Sequence, residues 1–132
     1  MNEKELNIFL IDDNDIDIVV NTKLLKLANI TSRIRSFTNG ADALQYIGGN
    51  FEELDKYLNV ILIDIQMPVL NGFDVFEKYM EFPDEVRKKC KVFLLSSSID
   101  RNDIQKAEDN EEIIKVLEKP LDVYLLKRLV SA

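Results

Sequence analysis

Val60-Ile61-Leu62-Ile63-Asp64 decides the fold: an apolar run of β type passes without polar interruption into a carboxylate. A strand lacking polar alternation is buried on both faces, and such strands belong to parallel sheets covered by helices. The same arrangement recurs along the chain. Ile8-Phe9-Leu10-Ile11 runs into Asp12-Asp13, Val92-Phe93-Leu94-Leu95 meets Ser96, and Val116-Leu117 leads to Lys119-Pro120. This layout predicts three carboxylates, one hydroxyl and one ammonium converging at the carboxyl edge of one sheet.

Amphipathic segments separate these runs, so the chain alternates strand and helix about five times, the pattern of an α/β fold. Residues 7–11 read as the first strand. The segment 15–28 places Ile16, Val20, Leu24 and Leu27 at helical spacing. Thr31 to Phe37 is a more polar strand, suited to a sheet edge. Asn39-Gly40 opens a helix over Ala41 to Ile47, and Gly48-Gly49 ends it. Residues 50–58 form a polar connection with room for a short helical turn. Strand three covers 59–63, and a helix runs from about Phe73 to Met80 with Pro83 beyond its end. Strand four covers 91–95, followed by a helix near 102–109. A fifth strand from Ile113 to Leu117, less buried at Lys115, and a helix over 121–130 complete the chain. Three apolar and two polar strands suit a five-stranded, doubly wound sheet with helices on both faces.

Composition narrows the chemistry. A chain of 132 residues fits one domain, and 46% hydrophobic with 31% charged residues is a globular rather than a disordered balance. Apolar runs of four or five residues fall far short of the ~20 that span a bilayer. Met1-Asn2-Glu3-Lys4-Glu5 lacks the basic and apolar regions of a secretory signal, so cytoplasmic residence is expected. A net charge of −7 speaks against direct nucleic-acid binding, and Arg87-Lys88-Lys89 reads as a solvated helix face. Cys90 stands alone, which rules out an internal disulfide and suggests a packed thiol before strand four. With no histidine, Ser-His-Asp and Cys-His nucleophiles and histidine-type zinc sites are all excluded.

The acids that end adjacent strands, ~4.8 Å apart, are able to share one ion. Two unit charges at ~4 Å repel by ~4 kcal/mol at an effective dielectric near 20, so three crowded carboxylates call for a cation. Mg²⁺ suits an oxygen-only set with few protein ligands, whereas Ca²⁺ takes more, and no EF-hand spacing is present. Asp64 is the candidate nucleophile, because an ordinary Asp is anionic at pH 7 and needs no general base. Lys119 supplies a flexible point charge, and Ser96 a hydroxyl that donates to a phosphoryl oxygen. Ser97 competes with Ser96, which directly follows the apolar run. Each feature also has a plain reading: Asp13, Asn14 or Asp15 as a helix cap, Asp64 as a turn, Lys119 as surface charge, the serines as a loop.

Taken together, Ile11-Asp12-Asp13-Asn14, Asp64-Ile65-Gln66-Met67-Pro68 with Asn71-Gly72, Leu95-Ser96 and Glu118-Lys119-Pro120 resemble the receiver domain of bacterial two-component response regulators. The resemblance spans nearly the whole chain, and Asp-x-x-Met-Pro-x-x-x-Gly is its most specific part. It implies a flavodoxin-like sheet in the order 2-1-3-4-5, which the strand polarity also suits, and a single receiver domain over 1–132. It implies Asp64 as the phosphoacceptor, Ser96 as the switch hydroxyl and Lys119 as the partner of the phosphoryl oxygens. Asp12, Asp13, Asp64 and the backbone carbonyl of Gln66 would hold Mg²⁺. A cis peptide before Pro120 is implied as well, with a phosphohistidine on a sensor histidine kinase or histidine phosphotransfer protein as the donor. The implied role is signalling rather than enzymatic turnover, acting on a downstream protein through the face near strand five.

Two positions depart from the family pattern. Val116 stands where many receivers carry an aromatic coupled to the hydroxyl, and Asp109-Asn110-Glu111-Glu112 replaces the usual Ala-Gly before strand five. Three other readings stay open on sequence alone. A haloacid-dehalogenase-type phosphatase fits Asp13-Asn14-Asp15 but leaves the Asp64–Gly72 stretch unexplained. A flavodoxin-type flavin module shares the sheet, yet its phosphate loop would be repelled by Asp12, Asp13 and Asp15. A receiver-like interaction module that is never phosphorylated is the third. The chain closes soon after its last helix, so either a single-domain regulator or phosphorelay intermediate, or a piece of a longer protein, is expected.

Overall fold

The computed structural model describes residues 4–131 except 32 and 99. The start of the N-terminal stretch, residues 1–3, and Ser32 of the expected second strand therefore lie outside the described residues. The strands are β1 (Leu6–Ile11), β2 (Ile34–Phe37), β3 (Leu58–Asp64), β4 (Cys90–Ser96) and β5 (Ile113–Glu118). All pairings are parallel, in the order β2-β1-β3-β4-β5. The helices are α1 (Asp15–Leu27), α2 (Gly40–Gly48), α3 (Phe51–Leu54), α4 (Gly72–Tyr79), α5 (Asp84–Arg87), α6 (Arg101–Glu108) and α7 (Val123–Ser131).

Alternation along the three central strands feeds two cores. Phe9, Ile11, Ile61, Ile63, Val92 and Leu94 face α2, α4 and α6, with Phe73, Val75, Phe76 and Tyr79 of α4 the largest helical contribution. Ile8, Leu10, Val60, Leu62, Phe93 and Leu95 face α1 and α7, against Leu25, Leu126 and Val130. Burial of this kind is worth roughly 1.5–3 kcal/mol per large side chain, which is why the middles of β1, β3 and β4 are apolar on both faces. The outer strands are less buried: β2 has no fully buried residue, and β5 buries only Ile113 and Leu117.

Four expectations are corrected. Of the α1 residues at helical spacing, only Leu24 packs against the core, while Ile16, Val20 and Leu27 do not. Ile16 is 73% and Leu27 83% exposed, while Asn21 and Leu25 face inward. β2 starts only at Ile34, because Thr31 is used otherwise: its Oγ1 donates to the Leu6 carbonyl at 2.7 Å and accepts from Arg33 N. Arg87 is not a solvated charge. It terminates α5, a turn not foreseen beyond Pro83, and pairs with Asp84 and Glu112 while its Nε donates to the Phe82 carbonyl. Lys89, in the same basic stretch, pairs with Asp55 at 2.7 Å. Cys90 behaves as expected: half-buried beside Tyr79, its thiol is pushed up to about 11 by burial.

Helix starts follow from side-chain caps. Asn14, Asn39, Asn71 and Asp100 each accept from a backbone N–H three residues on, which satisfies an otherwise orphaned donor. At the opposite rim of the sheet, buried Asn59 binds Asn7 and lies within bonding distance of the Leu54 and Lys89 carbonyls. That network fixes the amino ends of β1, β3 and β4, so their carboxyl ends emerge in register.

Candidate functional site

At that carboxyl rim, capping decides which carboxylates remain free. Asn14 caps α1 with its Oδ1 on Asp17 N at 3.0 Å, so the cap does not occupy Asp13, which is exposed. Asp12 is fully buried; its Oδ1 accepts from Asn14 N at 2.9 Å. Asp64 ends β3, buried, with Gln66 N donating to its Oδ1 at 3.2 Å. Asp12, Asp13 and Asp64 each present an oxygen atom, all within 4.8 Å of one another.

Lys119 reaches this cluster from the end of β5, with its side chain only 8% exposed. Its Nζ donates to Asp12 Oδ2 at 2.8 Å and Asp17 Oδ2 at 2.9 Å, and stands 3.4 Å from Asp64 Oδ2. The Lys119–Pro120 peptide is cis, as the family resemblance implied. Burial pulls the Lys119 ammonium down, but its hydrogen bonds to Asp12 and Asp17 more than reverse this and hold it protonated. Asp64 departs from an ordinary Asp. Burial, with the Asp12 charge second, lifts its carboxyl to about 6 against the partial relief of Lys119. It is still mostly anionic at pH 7.

One ammonium among these carboxylates leaves the pocket short of positive charge. An all-oxygen set with two buried members suits a hard divalent ion, so the residues present fit Mg²⁺.

Ser96 closes the pocket from β4. It is buried, whereas Ser97, the other candidate, is exposed. Its Oγ accepts from Gln66 Nε2 at 2.8 Å and from Ser98 N at 3.1 Å. Gln66 thus touches both Asp64 and Ser96. The β3–α4 loop that carries it is held by Gly72, whose N–H donates to the Ile65 carbonyl at 3.1 Å. A Cβ there would lie 2.7 Å from the Asp64 carbonyl oxygen and 2.9 Å from Ile65 Cα, so only glycine permits the approach.

A family model of the response regulator receiver domain matches residues 8–131. The chain belongs to that family. It is 34% identical to a response regulator receiver protein from Dyadobacter fermentans, covering 96% of this chain and 95% of that one with a TM-score of 0.88. A two-component response regulator from Cytophaga hutchinsonii is 30% identical over 98% of this chain and 96% of its own, at a TM-score of 0.86. Among curated relatives, the two-component response regulator ARR17 of Arabidopsis thaliana is 33% identical over 72% of this chain. This chain spans 63% of that relative's length. As a receiver, it is a signalling domain of two-component phosphorelays, and its acidic pocket fits the family's phosphoacceptor site. The phosphatase and flavin readings end there.

Two contributors escaped the sequence. Asp17 and Asn21 lie four apart on the inward stripe of α1 that continues to Leu25. Asp17 binds Lys119, and Asn21 Oδ1 accepts from Leu121 N at 3.0 Å, so α1 braces the Lys119–Leu121 loop from both sides. A polar pair at i, i+4 on a helix with surplus apolar residues was the available signal. The Gln66 side chain gave none, since its contact with Ser96 spans two strands.

Proposed function

We propose that residues 1–132 work as a single receiver domain that is phosphorylated on Asp64 in the presence of Mg²⁺. The observation that carries this reading is the meeting of Asp12, Asp13 and Asp64 oxygens beside the Lys119 ammonium. An Asp64 carboxylate oxygen attacks the phosphorus of a phosphohistidine on a sensor histidine kinase or phosphotransfer protein. The P–N bond breaks, its electron pair returns to the imidazole nitrogen, and an acyl phosphate forms on Asp64. No general base is required, because the attacking oxygen carries no proton. Phosphoryl transfer depends on positioning and charge neutralisation, and Lys119 supplies the second. Asp12, Asp13, Asp64 and the Gln66 backbone carbonyl would hold Mg²⁺, which neutralises phosphoryl oxygens when bound.

The added charge redistributes the hydrogen bonds at the rim. The Ser96 hydroxyl, whose oxygen accepts from Gln66 and Ser98, turns its proton to a phosphoryl oxygen, and the β4–α6 loop follows through Ser98. This shifts a pre-existing loop equilibrium and so changes affinity for a downstream protein on the face near β5. Val116 lines that face where an aromatic is common, so the signal travels chiefly through the loop after β4. No described helix is long and apolar enough to cross a membrane. The domain acts in the cytoplasm on proteins, and its net charge of −7 speaks against direct nucleic-acid binding.

Incubation with acetyl phosphate and Mg²⁺, read by intact mass, tests the reading. Wild type gains one phosphoryl mass and Asp64→Asn gains none. Equal gain by both removes Asp64 from the role.

A further inference from the structure

Lys119 is shared unequally. Its ammonium has three N–H groups; two are committed to Asp12 and Asp17, and the third faces Asp64 across 3.4 Å, beyond a normal hydrogen bond. The cation is therefore drawn toward α1 and away from the residue that receives the phosphoryl group. Asp12 cannot release it, because that carboxylate is fully buried and needs its counter-charge. Asp17 can, since its side chain is 35% exposed and water is able to replace the lysine.

The plain reading of Asp17 is a first-turn acid favoured by the helix dipole. Asp15 occupies the same turn and is exposed, yet Asp17 alone of the two reaches Lys119. Helix placement accounts for both acids but not for that contact, which joins positions 102 residues apart.

We propose that Asp17 is a positioning residue that restrains Lys119 in the resting pocket and thereby slows phosphoryl acceptance at Asp64. The inference rests on the reading of Asp64 as phosphoacceptor. Before Lys119 engages an incoming phosphoryl group it gives up the Asp17 bond, and Asp17 adds a further negative charge facing an anionic donor. Neutralising Asp17 frees the cation without unseating it, because Asp12 still holds Lys119 in the cleft.

The test compares wild type, Asp17→Asn, Asp17→Glu and Asp15→Asn for the rate of phosphoryl gain from acetyl phosphate, by intact mass at saturating Mg²⁺. An exposed-to-half-buried ion pair predicts roughly a two- to fivefold faster rate for Asp17→Asn. Asp17→Glu, which keeps the charge, stays near wild type, and Asp15→Asn is unchanged. Thermal unfolding of all four confirms that the fold persists. An Asp17→Asn rate equal to or below wild type overturns the proposal. So does equal acceleration by Asp15→Asn, which would mean a general charge effect. Both of those outcomes leave Asp64 as acceptor, whereas a wild type that gains no phosphoryl mass overturns that reading and this one together.

Discussion

Asp64 is placed where its charge is costly, and that cost is measurable. Its carboxyl sits near 6, above the ordinary 3.8, so the folded state holds its proton more tightly than the unfolded chain. The associated stability is fully present below about pH 4 and is lost as pH rises through 6. Asp64→Asn, which imitates the protonated form, is therefore expected to stabilise the metal-free protein at pH 7 by about 1–3 kcal/mol. The gain shrinks as pH falls from 6 toward 4; urea denaturation in a chelator across that range checks both sign and window. Ser96 makes a separate prediction. Its Oγ is the acceptor for Ser98 N–H, so Ser96→Ala speeds amide exchange at Ser98 by about fivefold, the worth of one hydrogen bond near 1 kcal/mol. Unchanged exchange would mean that the hydroxyl does not anchor the loop.

At the scale of elements, the β3–α4 loop carries the clearest strain. Val69, 99% exposed, has φ 67°, a left-handed conformation that costs a β-branched residue roughly 1–2 kcal/mol. Val69→Asn should raise stability by about 1 kcal/mol, since no burial is lost and Asn tolerates that backbone; an unchanged denaturation midpoint would refute the strain. The β-strands were legible because one-dimensional pattern decides them: a run such as Val60–Ile63 has a single stable placement, between two helical layers. Helix α1 was misread by one residue of rotation for the opposite reason. Its apolar residues exceed one face, and the choice among faces is made by Asp17 and Asn21 binding a loop a hundred or more positions away. The i, i+4 pair stands in the sequence, but the distant groups it binds do not show in local spacing. Likewise Arg87 reads as surface charge until α5 brings it against Asp84 and Glu112. Site residues at strand ends were legible for the same reason as the strands, because a parallel sheet carries all its carboxyl ends to one rim.

For the whole molecule, the pocket gathers like charge in a chain whose net charge is already −7. Binding of a divalent cation to the folded state alone must therefore stabilise it, by about 1.4 kcal/mol at a tenfold excess over Kd. Addition of Mg²⁺ should raise the Tm of wild type, a chelator should reverse the rise, and Asp13→Asn should weaken it, as scanning calorimetry would show. The central claim is sharper: side chains from four strand ends form one pocket in which Asp64, rather than Asp12 or Asp13, takes the phosphoryl group. Borohydride reduction of the acetyl-phosphate-treated protein converts an aspartyl phosphate to homoserine, which peptide mass mapping locates. Homoserine at position 64, formed only with Mg²⁺ present, is the predicted result; homoserine at position 12 or 13, or none, would contradict it.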